Sequence, residues 1–249
     1  MCQETILIMF ELVVKRSFAT EVAQLSIQSP CDTILRLMDI NWLGQACFKV
    51  KGKQASVVLD PYSAEIGFKL PKMEADIVTI SHDHYDHNAS SEVGDNPFVI
   101  TGPGEYEIKG VNVVGVPSFH DNKKGQERGK NILYSVRIDG VNIAHMGDLG
   151  QDELSAEQID SLGNVDILMI PVGSVYTIDA STATKIVASL EPLIVLPMHY
   201  QDKDSKVDLE PVDKFLKEMG KEATEPMKKL TISKERLPTE PQIVLLEKG

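Results

Sequence analysis

The sequence is poor in cysteine and has no pair of cysteines spaced as in a zinc ribbon or a redox motif. Its three cysteines, Cys2, Cys31 and Cys47, are odd in number and lie far apart. This excludes a disulfide framework and a cysteine-based zinc site. Because proteins of oxidising compartments often depend on disulfides, a cytoplasmic location fits this composition best.

Positive charge is also scarce. The 249 residues carry a formal net charge of −12, and no dense basic stripe is present. Nucleic-acid backbones are bound by clustered Lys and Arg, so we expect no nucleic-acid partner. Lys123, Lys124, Arg128 and Lys130 lie in a glycine-containing segment, which we interpret as a solvated loop.

Long apolar runs are missing as well. The most apolar stretch near the start covers residues 6–14, is interrupted by Glu11 and is not preceded by a basic residue. It is too short to span a bilayer, and we interpret it as neither a signal peptide nor a membrane anchor. We therefore expect no membrane partner.

The character of the chain changes near Met38. Residues 1–37 have no clear periodicity and are predicted to be an N-terminal extension, whereas residues 38–249 are predicted to form one domain. Strand patterns occupy residues 40–43, 46–50, 55–59, 77–80, 98–100, 111–116, 132–138, 141–144, 166–171, 193–196, 230–232 and 242–246. Helical patterns occupy residues 153–162, 180–190 and 212–219. This order predicts an α/β fold with sheets packed on each other and helices outside.

Histidines are few but strongly clustered. Three of the six histidines, His82, His84 and His87, lie close together with Asp86 between them. Imidazole and carboxylate groups are common ligands of Zn²⁺, Mn²⁺ and Fe²⁺. The block follows a predicted strand, and in extended backbone residues i and i+2 point the same way, so His82 and His84 are predicted to bind one ion. Asp86 and His87 follow in a turn and are predicted to reach a second ion.

The neighbours of this block are given supporting roles. Asp83 and Tyr85 are expected to point away from the ions. Asn88, Ser90 and Ser91 suit the N-terminus of a helix that would anchor the loop.

Three further candidate ligands follow other predicted strands. His120 and His199 each stand where a strand pattern ends, and Asp148 lies between glycines after a hairpin predicted from Asp139-Gly140. Glycines let the backbone come close to a metal and suit a tight bend. His145 lies inside a strand pattern and is interpreted as a core or supporting residue, not a ligand.

These motifs resemble the metallo-β-lactamase superfamily over residues 38–249. The His-x-His-x-Asp-His block at residues 82–87 carries the resemblance, together with His120, Asp148 and His199 in the same order. Asp60-Pro61 and residues 81–88, 102–108 and 198–200 resemble the small single-domain branch of Zn-dependent hydrolases related to ascorbate-6-phosphate lactonase. Leu149 stands where many relatives have threonine, but this departure leaves Asp148 in place.

The resemblance implies a four-layer αβ/βα sandwich of two mixed sheets with helices outside. It also implies two divalent metal ions at one edge, zinc in the first place and manganese or iron as alternatives. At the matching positions it implies that one ion is bound by His82, His84 and His120, the other by Asp86, His87 and His199, and that Asp148 bridges them.

The predicted activity is hydrolysis of a small ester, lactone or amide by a hydroxide that two metal ions activate. Asp86 is the candidate catalytic residue, since it is placed to orient the nucleophile or move its proton. Two alternatives stay open: a metal-dependent phosphodiesterase or nuclease, and a binding module that keeps the metals without turnover. We expect a small-molecule substrate, and the resemblance is compatible with a homo-oligomer.

Overall fold

A computed structural model describes residues 37–249 and shows a mixed α/β protein built mainly of strands. The predicted fold class is confirmed. The proposed extension up to residue 36, the apolar stretch at residues 6–14, Cys2 and Cys31 lie outside the described residues. Cys47 is buried as a free thiol. Within residues 37–249 no helix combines the length and the hydropathy needed to cross a membrane.

The described residues form short strands and three α-helices. The strands are β1 (Met38–Gly44), β2 (Cys47–Lys51), β3 (Ser56–Leu59), β4 (Met73–Glu74), β5 (Ile77–Thr79), β6 (Val93–Gly94), β7 (Phe98–Ile100), β8 (Gly104–Ile108), β9 (Val111–Phe119), β10 (Lys130–Ile138), β11 (Val141–His145), β12 (Ile167–Pro171), β13 (Ile194–Met198), β14 (Leu230–Ile232) and β15 (Gln242–Ile243). The helices are α1 (Ala156–Leu162), α2 (Ala180–Leu190) and α3 (Asp213–Glu218).

Two large sheets carry the fold. The first has the strand order β14-β1-β2-β3-β5-β7, and the second has the order β15-β13-β12-β11-β10-β9-β8. Strands β4 and β6 form a separate two-stranded ribbon. Both large sheets contain parallel and antiparallel pairs, as expected for mixed sheets.

Alternation along β3 shows how the sheets pack. Successive side chains of a strand point to opposite faces. Val57 and Leu59 belong to the main core, which also contains apolar side chains of the second sheet, whereas Val58 belongs to a smaller core on the other face. In the described chain, that smaller core is closed by Tyr62 and by Ile66 of a 3₁₀ turn.

The second half of the chain alternates strands and helices. Strands β11, β12, β13 and β15 run parallel, with α1 and α2 in the crossovers. The side chains of β12 are buried throughout, as is usual for parallel strands covered on both faces. Helix α2 has the predicted bounds. Helix α1 begins three residues later than predicted, because Ser155 and Gln158 form a capping box in front of Ala156.

The predicted hairpin between β10 and β11 is confirmed. Asp139 and Gly140 have φ angles of 49° and 83°, and Ile138 pairs with Val141 on either side of them. Positive φ at both central residues defines the type I′ turn that matches the twist of antiparallel strands.

Strand direction explains why polar side chains collect at one edge of each sheet. Strands β3 and β5 are parallel, so residues 60 and 81–88 follow at the same edge of the first sheet. Strands β9 and β11 are both antiparallel to β10 and therefore run in one direction, which β12 and β13 share. His120, Asp148 and His199 consequently follow strands at one edge of the second sheet.

Gly173 provides a test of how tightly this edge is packed. A methyl group at Gly173 would lie 2.0 Å from the carbonyl oxygen of His199, which is backbone and has no room to yield. We expect Gly173→Ala to lower the free energy of unfolding by about 1–3 kcal/mol, as overpacking does in well-packed interiors. Urea denaturation measures the change.

Gly94→Ala is the matched control, since a methyl group there meets only ordinary contacts, the nearest at 3.4 Å from the carbonyl oxygen of Met73. It should change the free energy of unfolding by no more than about 0.5 kcal/mol. Equal stability of the two variants would contradict the close approach at Gly173.

Candidate metal centre

Seven side chains from four strand ends meet in the described part of the chain. They form two groups, and within each group the potential ligand atoms all lie within 4.8 Å of one another. The first group is His82, His84 and His120, and the second is Asp86, His87, Asp148 and His199. All seven residues that the sequence proposes as ligands are therefore brought together.

Asp148 lies between the two groups. Its Oδ2 is 3.3 Å from His120 Nε2, 3.4 Å from His199 Nε2 and 3.9 Å from His82 Nε2. Its Oδ1 is 3.3 Å from His87 Nε2. One carboxylate thus faces histidines of both groups, which is the position that a bridging ligand needs.

The backbone of the histidine block differs from the prediction. Residues 81–87 form bends and turns and not a continuation of the strand, and the amides of His87 and Asn88 both donate to the carbonyl oxygen of His84. The rings of His82 and His84 still converge, with centroids 4.5 Å apart and planes at 80°. A tight turn, and not alternation along extended backbone, brings them together.

The helix predicted after this block is wrong. Only a 3₁₀ turn, Ser90–Glu92, follows, and no side chain caps it. Asn88 instead donates from Nδ2 to Asp83 Oδ1 at 2.6 Å. This bond fixes the start of the loop from within the block, so an anchoring helix is not needed.

Several nitrogen and oxygen atoms of the cluster are buried without a hydrogen-bond partner. They include Nε2 of His82, His87 and His199, and Oδ1 of Asp148. Unpaired buried polar atoms cost free energy and are rare in folded proteins. Imidazole nitrogens and carboxylate oxygens directed at one another in this way fit divalent cations of the Zn²⁺, Mn²⁺ or Fe²⁺ type.

The electrostatics of the cluster follow from burial and from mutual attraction. Burial opposes the charged form of His87, but Asp148 and Asp86 raise its pKa well above the ordinary value. Burial would raise the pKa of Asp148, but His199 and His87 hold it well below the usual range. Burial lowers the pKa of His82 to about 3, so this ring is uncharged at physiological pH and has a nitrogen lone pair free to bind a metal ion. The cluster thus pairs anionic carboxylates with positive charge, which bound cations would supply in place of a proton.

Asp60 orients the histidine block, a role that the sequence analysis did not assign. It follows β3 with φ 45° and is fully buried. Its Oδ1 accepts from the amide of Ser81, and its Oδ2 accepts from Ser81 Oγ at 2.6 Å and pairs with His87 Nδ1 at 2.9 Å. Burial opposes ionisation, yet the bond to His87 holds the pKa of Asp60 below its ordinary value. A carboxylate on Nδ1 directs Nε2 of the same ring into the cluster.

Gln45 and Asn131 hold other members of the cluster. The side chain of Gln45 donates from Nε2 to Asp86 Oδ2 at 3.4 Å. The backbone carbonyl oxygen of Gln45 accepts from the backbone amide of His199 at 3.0 Å. Asn131 Oδ1 accepts from the amide of Asp148 at 3.0 Å. Both residues are buried polar side chains next to strand ends, a signal that burial reveals and sequence alone does not.

The residues expected not to bind metal behave accordingly. Both ring nitrogens of the buried His145 contact backbone, Nε2 the carbonyl oxygen of Ala46 at 2.8 Å and Nδ1 the amide of Gly147 at 3.2 Å. Asp83 and Tyr85 are exposed. None of the three joins the two ligand groups of residues 37–249.

Arg128 lies in an exposed loop, as the sequence predicts, but its guanidinium also makes specific hydrogen bonds. The carboxylate of Asp121 accepts hydrogen bonds from four backbone amides of the loop, including that of Arg128. These bonds fix the backbone of the loop around Asp121. The guanidinium of Arg128 then donates to the carbonyl oxygens of Val175 and Tyr176 at 3.1 and 3.0 Å. Arg128 consequently lies at the mouth of the cluster.

A pocket of about 690 Å³ opens onto the cluster. His84, Asp86, His120, Asp148 and His199 line it from one side. The rest of the lining is formed by Asp83, Tyr85, Arg128, Tyr176, Lys206, Val207 and Asp208. A small molecule entering this pocket would meet residues of both ligand groups at once.

The chain is similar to known metal-dependent hydrolases. The model of a beta-lactamase superfamily domain matches residues 39–199. A UPF0173 metal-dependent hydrolase of Thermoplasma volcanium is 30% identical over 67% of this chain and 86% of its own length. A similar hydrolase of Thermococcus onnurineus is 29% identical over 66% of this chain and 85% of its own.

A crystal structure from Thermotoga maritima is also similar. It is described as a Zn-dependent hydrolase of the metallo-beta-lactamase superfamily and shares 34% sequence identity, with a TM-score of 0.69. The similarity covers 84% of this chain and 98% of the Thermotoga chain.

Asp60→Asn tests the supporting role of Asp60. The amide keeps the shape of the side chain but cannot accept from both Ser81 and His87 as a carboxylate does. We expect metal affinity to fall about 10–100-fold, the usual cost of losing a carboxylate behind a metal-binding histidine. Competition with a chromogenic chelator measures this affinity.

Asp76→Asn serves as the control for charge. Asp76 also accepts from a serine, Ser56, but lies away from the cluster. The metal affinity of the Asp76→Asn variant should equal that of the wild type. Unchanged affinity in Asp60→Asn would show that Asp60 does not orient His87 for metal binding.

Proposed function

This chain belongs to the beta-lactamase superfamily as a metal-dependent hydrolase, and we propose that it cleaves a small ester, lactone or amide with two bound divalent cations. The observation that carries the proposal is Asp148, a buried carboxylate that faces histidines of both ligand groups. We propose that one cation is held by His82, His84 and His120, the other by Asp86, His87 and His199, and that Asp148 bridges them.

Zinc is the cation that the donor set favours. Each proposed site combines histidine nitrogens with at most two carboxylates, a set typical of catalytic zinc. Manganese and iron accept the same ligands and are the alternatives.

The cations would supply a hydroxide at neutral pH by lowering the pKa of a water molecule, and would stabilise negative charge on the attacked oxygen. The protein's own contribution is orientation. Burial raises the pKa of Asp86, but His87 counters this and keeps its pKa below the ordinary value, so Asp86 stays ionised. Asp86 Oδ2, held by Gln45, can therefore accept a hydrogen bond from the attacking water and orient it.

The pocket favours a small substrate. Its volume of about 690 Å³ is within the range of small-molecule sites. The net charge of −12 disfavours extended nucleic acids. We also propose that the protein acts in the cytoplasm, which is supported by the free thiol of Cys47.

Phosphodiester hydrolysis is the second candidate. Arg128 and Lys206 both line the pocket that opens onto the cluster, and two cations at that position suit a phosphate group. A small cyclic or bis-substituted phosphate fits this observation better than a polynucleotide does.

Substitution of the ligands tests the proposal. We expect His84→Ala, Asp86→Ala and Asp148→Ala each to lose at least one of two bound metal equivalents. Hydrolysis of p-nitrophenyl acetate, a simple lactone or bis-p-nitrophenyl phosphate should fall by more than the roughly 100-fold that a supporting residue costs. Elemental analysis and initial rates measure the two effects.

Asp76→Asn, the control for charge above, is also the control for metal content, because Asp76 lies outside both ligand groups and does not line the pocket. It should keep two metal equivalents. Removal of the metal by a chelator should abolish turnover, and Zn²⁺ should restore it. Full occupancy without turnover of any of the three substrates would favour a binding module, and wild-type turnover of Asp86→Ala would refute the catalytic assignment.

A further inference from the structure

A second pocket adjoins the candidate metal centre. It has a volume of about 800 Å³ and includes His82 and His84 in its lining. The apolar residues of its lining, which form its apolar wall, are Pro103, Pro117, Phe119 and Ile132. The sequence analysis gave these apolar residues no role.

The two pockets meet at three shared residues. Asp83, His84 and Arg128 line both of them. His84 is exposed between the pockets and belongs to the first ligand group. A molecule whose reacting group lies at the cluster can therefore extend past His84 into the second pocket.

The apolar wall is built on regular structure. Phe119 ends β9, and Ile132 lies on the neighbouring strand β10. A methyl group on Gly115 would meet Pro103 Cα at 3.0 Å and Ile132 Cγ2 at 3.3 Å, so both residues pack over this glycine of β9. The amide of Phe119 donates to Gln151 Oε1 at 3.0 Å. A preformed apolar surface of this kind lowers the entropic cost of binding.

The charges around this pocket select against a cationic ligand. Arg128 and Lys130 contribute two positive charges to its lining. Asp83 is the carboxylate in the lining, and Asn88 already donates to it. A hydrocarbon group, neutral or attached to an anion, suits this environment.

We propose that the second pocket binds an apolar arm of the substrate, so that the substrate class is esters, lactones or amides with a hydrocarbon acyl chain of several carbons. The proposal deepens the function given above and rests on it, because it places the scissile group at the metal cluster. Pro103 and Ile132 are then specificity-determining residues.

Straight-chain carboxylates, the products of such a hydrolysis, test the pocket without turnover. Isothermal titration of the Zn²⁺-loaded protein with acetate, hexanoate and octanoate should show tighter binding as the chain lengthens. Burial of each methylene group is expected to raise affinity about 2–4-fold, so hexanoate should bind at least about tenfold tighter than acetate. Hexylamine should gain no comparable affinity over methylamine.

Two variants connect the chain-length effect to this pocket. Ile132→Ala removes apolar surface from the pocket. Pro103→Asp places a charge in the apolar wall, and because Pro103 is exposed, this variant should fold like the wild type. In each, the ratio of octanoate to acetate affinity should fall at least about fivefold, corresponding to one or two methylene groups. Ile243→Ala, on the far edge of the same sheet, is the matched control and should keep the wild-type ratio.

Each outcome bears on the proposal. Equal affinity for acetate and octanoate would overturn it, and so would a chain-length effect that survives both pocket variants. Metal-dependent turnover of short esters without any gain from chain length would leave the hydrolase function standing and refute the apolar arm alone. Loss of turnover in the ligand variants together with a pocket-dependent chain-length effect would support both.

Discussion

The structure depends on one crowded interaction, the contact of a buried carboxylate with four histidine rings. Asp148 lies within 3.9 Å of Nε2 of His82, His87, His120 and His199. Bringing these groups out of water is costly unless charge compensates them. The surrounding network is organised to impose this arrangement: Asp60 fixes His87, Asn131 fixes the backbone of Asp148, and Gln45 fixes His199 and Asp86.

Much of the fold and the cluster could be predicted because both follow from short-range patterns. Runs of β-branched residues bounded by Gly, Pro, Asp or Asn predict the strands. The residue after a strand lies at a sheet edge, and this placement identified His120, Asp148 and His199 as candidate ligands. The helix proposed after Asn88 failed because the side chain of Asn88 bonds to Asp83 and does not cap. Helix α1 was predicted too long because helical periodicity ignores the capping box at Ser155.

Residues whose partners are distant in the sequence could not be found in this way. Asp60 and Ser81 are separated by 21 residues, and Gln45 and Asp86 by 41. Such pairs have no local periodicity, and their importance becomes visible only when burial removes water as an alternative partner. Arg128 is a further case. Its exposed loop follows from the glycines and basic residues around it, but its hydrogen bonds to the carbonyl oxygens of Val175 and Tyr176, 47 and 48 residues away, have no local signal.

The origin of the ligands in both sheets has a consequence for folding. The block at residues 82–87 follows β5 of the first sheet, whereas His120, Asp148 and His199 follow strands of the second. Cations held by these ligands would connect the two sheets and stabilise the folded state. By mass action, a ligand at 100 times its dissociation constant adds about 2.7 kcal/mol to the stability of the folded state. The midpoint of thermal unfolding would then depend on the free concentration of the bound cation, which has to be fixed before any two preparations are compared.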